Sequence, residues 1–322
     1  HKNLLIVIES TIPPGTTAGV IKPFLEKGTC LRVGRDIYLA HAPERIAPGR
    51  AIYELLNIPR IIGGVEPKST DEAARLYSIV TDKILKTDAT TAEFVKLIEN
   101  AYRDLNIAYA NLIALMAEKF NINIYEAIRL ANTHPRVNIL KPGAGVGGPC
   151  LTKDPYILIS AFKDIPGIQL ISIGRKINEY MPHYVVKLIG KVLKLHRVKT
   201  IRPKIAILGI TYKALVNDTR ESPARIIINK LLEKGFEVKA FDPYTHETFG
   251  AKRASSVYEA CEGADVMVII TDHPEFSRID LKHAYKIVRT PIIIDGRFVI
   301  SPENARKAGF YYYTIGYSET GK

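Results

Sequence analysis

The sequence predicts an α/β protein, with a parallel, doubly wound sheet towards each end of the chain and a helical segment between them. Three patterns carry this reading. Short apolar runs rich in β-branched residues alternate with helix-length segments over the first 88 residues. The spacing of apolar residues then lengthens to three and four over Thr90–Lys119 and again over Ile171–Lys194. Strand–helix alternation returns after Pro203.

The run Leu4 to Ile8 is closed by Ser10-Thr11 and Pro13-Pro14-Gly15, so it reads as a buried strand ending in a turn, with a helix starting near Thr16. Strands are expected at Tyr38–Ala40, Arg60–Ile62 and Lys83–Thr87, with a helix at Ser69–Val80 before the last. In the middle, Phe94, Leu97, Ile98, Ala101, Leu105, Ala108, Leu112 and Leu115 form the stripe of one long helix. The basic, proline-containing stretch 195–203 reads as a linker, and KIAILGITY then restarts the strands, followed by Glu237–Phe241, Val266–Ile270 and Ile292–Ile294. The expected domains are residues 1–88, 89–197 and 198–322, the outer two Rossmann-like. A dinucleotide-binding domain normally opens with a strand running into a G-x-G-x-x-G turn. No such turn occurs before residue 140, which predicts that this is the later part of a longer polypeptide, with the N-terminal part of the first domain outside it.

Bulk properties bound the rest. A length of 322 residues favours two or three domains, and 47% hydrophobic with 24% charged residues is ordinary for a globular protein. No stretch reaches the roughly 18 uninterrupted apolar residues of a membrane span, and the start HKNLLIVIES lacks a signal-peptide pattern. Cys30, Cys150 and Cys261 lie far apart with no C-x-x-C pair, which argues against a disulfide framework or a metal site and fits a cytoplasmic setting. The net charge of +12 suits nucleic acid, a site for phosphates or anionic sugars, or a solvated lysine-rich surface. The basic residues are spread along the chain without a dense arginine run, so no nucleic-acid partner is expected.

The segment KPGAGVGGPCLTKDPY, 141–156, is the most informative. Gly143, Gly145, Gly147 and Gly148 allow positive φ angles and close approach of the backbone to a ligand. A helix from about Lys153 to Phe162 tolerates Pro155 in its first turn and sets Cys150 near its N-terminus, beside Lys153. Such surroundings favour a thiolate. They equally make a phosphate site, and a buried inert cysteine after a flexible loop fits the residues too. Lys96 and Asn100, four apart, project from one face of the long helix, where a lysine is either solvated or placed to hold an oxyanion.

Six segments resemble the UDP-glucose/GDP-mannose dehydrogenase family: STIPPGTT (10–17), APERIAPG (42–49), AEFVKLIENAYRDLN (92–106), GVGGPCLTKD (145–154), GITYKALVNDTRESPA (209–224) and IIDGR (293–297). They occur in family order and span nearly the whole chain. The resemblance implies an NAD-dependent, four-electron oxidation of a sugar-nucleotide C6 alcohol to a carboxylate, through a thiohemiacetal and a thioester on Cys150. It implies that Lys96 stabilises the oxyanion, that Asn100 and Asp154 hold a water, and that Glu44 is the general base of hydrolysis, suited to the task if burial tunes it towards neutrality. Thr11, Lys153 and Arg220 match NAD contacts. Residues 141–147, among them Lys141, Pro142, Gly143, Gly145 and Gly147, line the sugar nucleotide in relatives. Lys213 and Arg297 resemble its charge partners, and Arg136 resembles an arginine donated by a neighbouring subunit. A homodimer or higher homo-oligomer is implied, with the helix near 171–194 as its element, although burial inside one subunit gives the same pattern.

Pro48 in APERIAPG and the stretch HPRVNILKPGAGVGG (134–148) resemble the branch acting on UDP-linked N-acetylated amino sugars, UDP-N-acetyl-D-mannosamine before UDP-N-acetylglucosamine or UDP-glucose. Lys153 and Pro149 depart from that branch. A catalytically incomplete sugar-nucleotide-binding fragment is the other reading, because the first nucleotide fingerprint is absent.

Overall fold

A computed structural model describes residues 3–46 and 49–318; Pro48 lies outside the described residues. β1 (Leu4–Ile8) leads to a π-helical turn at Thr17–Ile21, directly followed by α1 (Lys22–Thr29). Next come β2 (Ile37–His41), α2 (Ala51–Asn57), β3 (Arg60–Gly64), α3 (Pro67–Tyr77) and β4 (Ile84–Asp88). The helical middle holds α4 (Ala89–Glu118), α5 (Ile124–Ala131), α6 (Asp154–Ala161) and α7 (Gln169–Leu195). Then follow β5 (Lys204–Leu208), α8 (Pro223–Glu233), β6 (Glu237–Phe241), β7 (Lys252–Arg253), α9 (Val257–Cys261) and β8 (Val266–Ile269). The last elements are α10 (Leu281–Ile287), β9 (Ile292–Asp295), α11 (Pro302–Lys307), β10 (Tyr311–Thr314) and β11 (Tyr317–Ser318).

The chain divides into two units, His1–Tyr102 with Lys153–Ile171, and Arg103–Thr152 with Ser172–Lys322. α4 and α7 each begin in the first and end in the second, so the helical middle is shared between them.

In the first unit the strands lie in the order β1-β2-β3-β4. β1 pairs parallel with β2 from Leu4↔Ile37 to Ile8↔His41, and β3 pairs parallel with β4. β2 and β3 meet antiparallel at Ala40↔Gly64 and His41↔Gly63. Every residue of both strands is buried, so their burial pattern carries no trace of strand direction. Ala40, Ala42, Ile62, Ala73 and Ala74 pack in one cluster and Val33, Ile37 and Leu39 in another. In a third cluster Leu97 and Ala101 of α4 meet Leu158 of α6.

The second unit holds a seven-stranded sheet in the order β11-β10-β9-β8-β5-β6-β7, parallel except for the β10–β11 hairpin. Its central strand β8 is apolar at every position, and β5 and β9 are apolar but for Lys204 and Asp295 at their ends, because both faces are covered. Ile205 and Ile207 of β5 and Val266 and Val268 of β8 face a cluster shared with α7 and α8, whereas Ala206, Leu208, Met267 and Ile269 face the opposite cluster. Met181, Val185, Ile189 and Val192 give the apolar face of α7 to that first cluster, so this helix spends it within its own unit. Exposed apolar side chains are carried by α4, at Tyr109, Leu112 and Met116, by Phe120 and Ile122 just beyond it, and by α7 at Leu170, Ile173, Tyr180 and Leu195.

Ile207→Ala should cost about 3 kcal/mol, the usual penalty for emptying a wholly buried isoleucine site, and urea denaturation followed by circular dichroism measures it.

Candidate functional site

In the second sheet the chain runs outward from β5 to β6 on one side and from β8 to β9 on the other. Ligands of open α/β sheets bind at such a reversal, beyond the carboxyl ends of the strands. Asp242, just after β6, braces that edge from within. Its Oδ2 accepts from the amides of Ile210 (2.6 Å) and Thr211 (3.0 Å), and its Oδ1 accepts from that of Tyr244 (2.8 Å). His273 Nε2 lies 3.0 Å from Oδ2, while His273 Nδ1 accepts from the Leu215 amide at 3.4 Å. Thr211 Oγ1 donates to the carbonyl of Lys213 at 3.0 Å. Burial alone would push the Asp242 carboxyl up, but His273 and the three amides outweigh it and hold the pKa at about 2.

The glycine-rich segment lies on this edge. The Ala144 amide donates to the Gly296 carbonyl at 3.1 Å, and the Gly143 amide to Asn111 Oδ1 of α4 at 2.8 Å. Arg297 Nη2 donates to the Gly145 carbonyl at 3.1 Å and its Nε to the Ile270 carbonyl at 2.8 Å. Asp295 sets the Arg297 turn by accepting from the amides of Arg297, Val299 and Ile300. The glycines are needed for two reasons. Gly145 (φ +130°) and Gly148 (φ +89°) adopt left-handed backbone. At Gly143 a β-carbon would stand 2.5 Å from Arg297 Nη1, and at Gly147 2.6 Å from the Glu221 carbonyl, so these two serve close approach. Of the four glycines that allow positive φ, Gly145 and Gly148 use it.

Cys150 ends this segment in a turn, with its side chain exposed. Thr152 Oγ1 donates to the Gly148 carbonyl at 2.7 Å, and the Gly148 amide donates to the Arg220 carbonyl at 3.1 Å. Cys150 lies near Tyr212 and Arg220. Cys261, by contrast, is buried in α9, and burial pushes its thiol up to about 12. The exposed Arg220 guanidinium is held by Asp218, Nη2 to Oδ2 at 2.6 Å. Lys141 and Arg136 are exposed, the latter with Nη2 3.4 Å from His134 Nε2, and Pro142 is buried. Lys213 is half-buried in the loop that Thr211 and His273 brace.

The first unit holds the other predicted residues. Asn100 Nδ2 donates to Asp154 Oδ2 at 2.5 Å, joining α4 to the first turn of α6. Burial pushes the Asp154 carboxyl up, against the pull of Asn100 and then Lys96. Lys96 is half-buried, and Lys153, at the N-cap of α6, is exposed. Thr11 follows β1 in a loop fastened by Glu93 of α4, whose carboxylate accepts from the amides of Gly15 (2.5 Å) and Thr17 (2.7 Å) and from Thr17 Oγ1 (2.5 Å). That loop therefore presents Thr11 beyond the carboxyl end of a parallel strand, a position that fits a nucleotide cofactor.

Glu44 differs from expectation. Burial alone would raise it, but the amides of Ile46 and Arg45 (2.7 Å each) and Arg60 Nη1 (3.0 Å) outweigh burial and hold it below the usual carboxylate range. Arg60 also pairs with Glu9, which accepts from Tyr77. Glu44 is thus held as a carboxylate instead of being tuned towards neutrality. The residues that sequence reasoning missed are Glu93, Arg60, Asp242, Tyr212 and His273, most of them drawn in from distant segments. His41, wholly buried in β2, has neither ring nitrogen partnered among the described residues, and its burial disfavours the charged form against the pull of Glu93.

Comparison with known proteins bears on these features directly. Residues 1–81, 90–180 and 206–302 match the NAD binding, central and UDP binding domains of the UDP-glucose/GDP-mannose dehydrogenase family. UDP-N-acetyl-D-mannosamine dehydrogenase of Methanocaldococcus jannaschii is 46% identical over 316 residues, covering 97% of this chain and 70% of that protein. The Pyrococcus horikoshii enzyme of the same name is 48% identical, covering 98% and 73%. The solved P. horikoshii UDP-D-ManNAc dehydrogenase superposes with a TM-score of 0.89 at 47% identity, over 97% of this chain and 72% of that one. An NDP-N-acetyl-D-galactosaminuronic acid dehydrogenase from Methanosarcina mazei gives 0.88 at 35% identity, over 98% and 70%. Fold and site thus define an NAD-dependent oxidoreductase of sugar nucleotides. The chain belongs to the UDP-glucose/GDP-mannose dehydrogenase family.

Asp242→Asn tests the brace of the second sheet. A depressed folded-state pKa contributes stability that is present above the unfolded value near 4 and lost as pH falls towards about 2. The variant should lose about 2 kcal/mol at pH 7, with the gap to wild type closing between about pH 4 and 2 in urea titrations across that range.

Proposed function

We propose that this chain carries the catalytic and sugar-nucleotide-binding parts of a UDP-sugar 6-dehydrogenase, acting on UDP-N-acetyl-D-mannosamine to give UDP-N-acetyl-D-mannosaminuronate. The observation that carries this is the glycine-rich segment clasped by Arg297 at the reversal point of the second sheet, with an exposed cysteine at its end. The likeness to enzymes named for this sugar at 46–48% identity supports the choice of substrate.

In this reading the segment 141–147, Lys213 and Arg297 bind the sugar nucleotide, whose diphosphate suits two cations and a backbone free of side chains. Thr11, Lys153 and Arg220 would hold NAD, which when bound would supply the hydride acceptor, one molecule for the alcohol and, after the first NADH is exchanged, a second for the thiohemiacetal. Cys150 adds its sulfur to the C6 aldehyde, forming an S–C bond that keeps the aldehyde from escaping. Lys96 stabilises the oxyanion of that adduct. After loss of the second hydride the sulfur holds a thioester. A water held by Asn100 and Asp154 attacks it, with Glu44 accepting the proton, and the acid leaves as the thiol is restored. Each turnover consumes one water and delivers two hydrides. We assign the domains as 1–88, 89–197 and 198–322, and the setting as the cytoplasm.

The reading includes a homodimer. A groove of about 450 Å³ lined by Tyr109, Ile113, Met116, Phe120, Ile122 and Ile128 leaves apolar surface that a second copy would cover. The exposed Arg136 suits donation to a neighbouring subunit.

The complete polypeptide, assayed with UDP-N-acetyl-D-mannosamine, UDP-N-acetylglucosamine, UDP-N-acetylgalactosamine and UDP-glucose, should release two NADH per uronate, fastest with the first. A preference for another sugar overturns the substrate, and sugar-nucleotide binding without NADH at high NAD makes the chain a binding fragment. Cys150→Ser should lower uronate formation by at least about a thousandfold; formation at the wild-type rate overturns the covalent route.

A further inference from the structure

Beneath the turn that carries Cys150 lies a buried ion pair to which no role has yet been given. Arg175 of α7 is 2% exposed and Asp104 of α4 is 0% exposed. Arg175 Nη1 donates to Asp104 Oδ1 at 2.7 Å, and Asn178 Nδ2 donates to Oδ1 and to the Asp104 carbonyl, both at 2.9 Å. Arg175 Nη2 reaches Glu179 Oε1 at 3.3 Å. The same Nη1 also donates to the carbonyl of Leu151, the residue after the cysteine, at 3.3 Å.

This is a poor way to gain stability. Taking both charges out of water is expensive, and well-packed apolar residues of similar volume are often as stabilising or more so. Asp104 Oδ2 and Arg175 Nε have no hydrogen-bond partner among the described residues, so the pair is not fully compensated. Burial pushes the Asp104 carboxyl up even though Arg175 and then Asn178 pull it down. What the pair provides that apolar side chains would not is a fixed donor aimed at the Leu151 carbonyl. The turn is held from its other side by the Gly148 amide on the Arg220 carbonyl and closed by Thr152 Oγ1 on the Gly148 carbonyl. With the Leu151 carbonyl tethered as well, the chain is anchored two residues before Cys150 and one residue after it, while its sulfur stays exposed.

We propose that the Asp104–Arg175 pair is a positioning device for Cys150: Asp104 orients Arg175, and Arg175 holds the Leu151 carbonyl so that the sulfur points at the reacting carbon. The inference rests on the reading of Cys150 as the nucleophile. A displacement of about 1 Å in a reacting group is worth on the order of a hundredfold in rate, which sets the expected size of the effect.

The test uses Arg175→Met, the double variant Asp104→Leu with Arg175→Met, and Arg175→Lys, all in the complete polypeptide. Urea midpoint, kcat and KM for the UDP-sugar, and the rate at which iodoacetamide alkylates Cys150 are measured for each. Arg175→Met, which strands a buried carboxylate, should lose both stability and turnover. The double variant should regain the wild-type midpoint while kcat stays about a hundredfold down, with KM little changed and the alkylation rate of Cys150 shifted severalfold. Recovery of kcat and alkylation together with the midpoint makes the pair structural only and overturns the proposal. If the double variant folds poorly, Arg175→Lys decides. It keeps the charge opposite Asp104, but its ammonium stops one bond short of the Nη1 position that donates to both Asp104 and the Leu151 carbonyl, and wild-type turnover in it overturns the proposal. Cys150→Ser run alongside separates the two readings: wild-type uronate formation there sinks the nucleophile assignment, whereas the alkylation rates need no turnover and still report on the tether.

Discussion

The site of the second unit depends on how closely the Arg297 guanidinium approaches the backbone of residues 143–145. Because Gly143 has no side chain, the guanidinium rests against the chain, and its two hydrogen bonds tie the Gly145 carbonyl to the carbonyl that follows β8. Asp295, fully buried, fixes the turn from which Arg297 projects. The sheet edge, the glycine-rich segment and the cysteine turn thereby become one surface. A side chain at position 143 would separate them, and no change in the charge of the surface would compensate. The positive charge here is structural before it is available to a ligand.

Much of the fold was legible because its signals are local. The runs at 205–208 and 266–269 are apolar throughout, as strands covered on both faces must be, whereas the equally apolar run at 4–8, expected to be buried, is exposed at Leu4 and half-buried after it. Prolines and glycines mark where they stop, and the long helices announce themselves through several turns of repeating apolar spacing. What could not be read is what depends on partners. The antiparallel contact between β2 and β3 leaves no mark in the alternation of side chains. The apolar stripe of α7 looks the same whether it meets another subunit or its own sheet, and it meets its own sheet.

The candidate site shows the same division. Cys150 stands out from Cys30 and Cys261 through its glycines, and Asn100 and Asp154, 54 residues apart, meet through one hydrogen bond. The lowered pKa of Glu44 rests on the neighbouring amide of Ile46 and on Arg60, sixteen residues further on. Charge neighbours brought together by folding are invisible to spacing rules. Tyr212 beside Cys150, Glu93 beneath the loop after β1, and the His273–Asp242 brace are further cases.

The polypeptide passes between the two units at residues 102, 152 and 171, so neither is a single stretch of chain. Leu97 and Ala101 find their cover in Leu158. During synthesis the apolar side of the early part of α4 therefore waits bare until some sixty further residues have left the ribosome. No single cut in the gene releases the first unit whole, and a nascent chain halted near residue 150 would expose a hydrophobic stripe of the kind that chaperones bind.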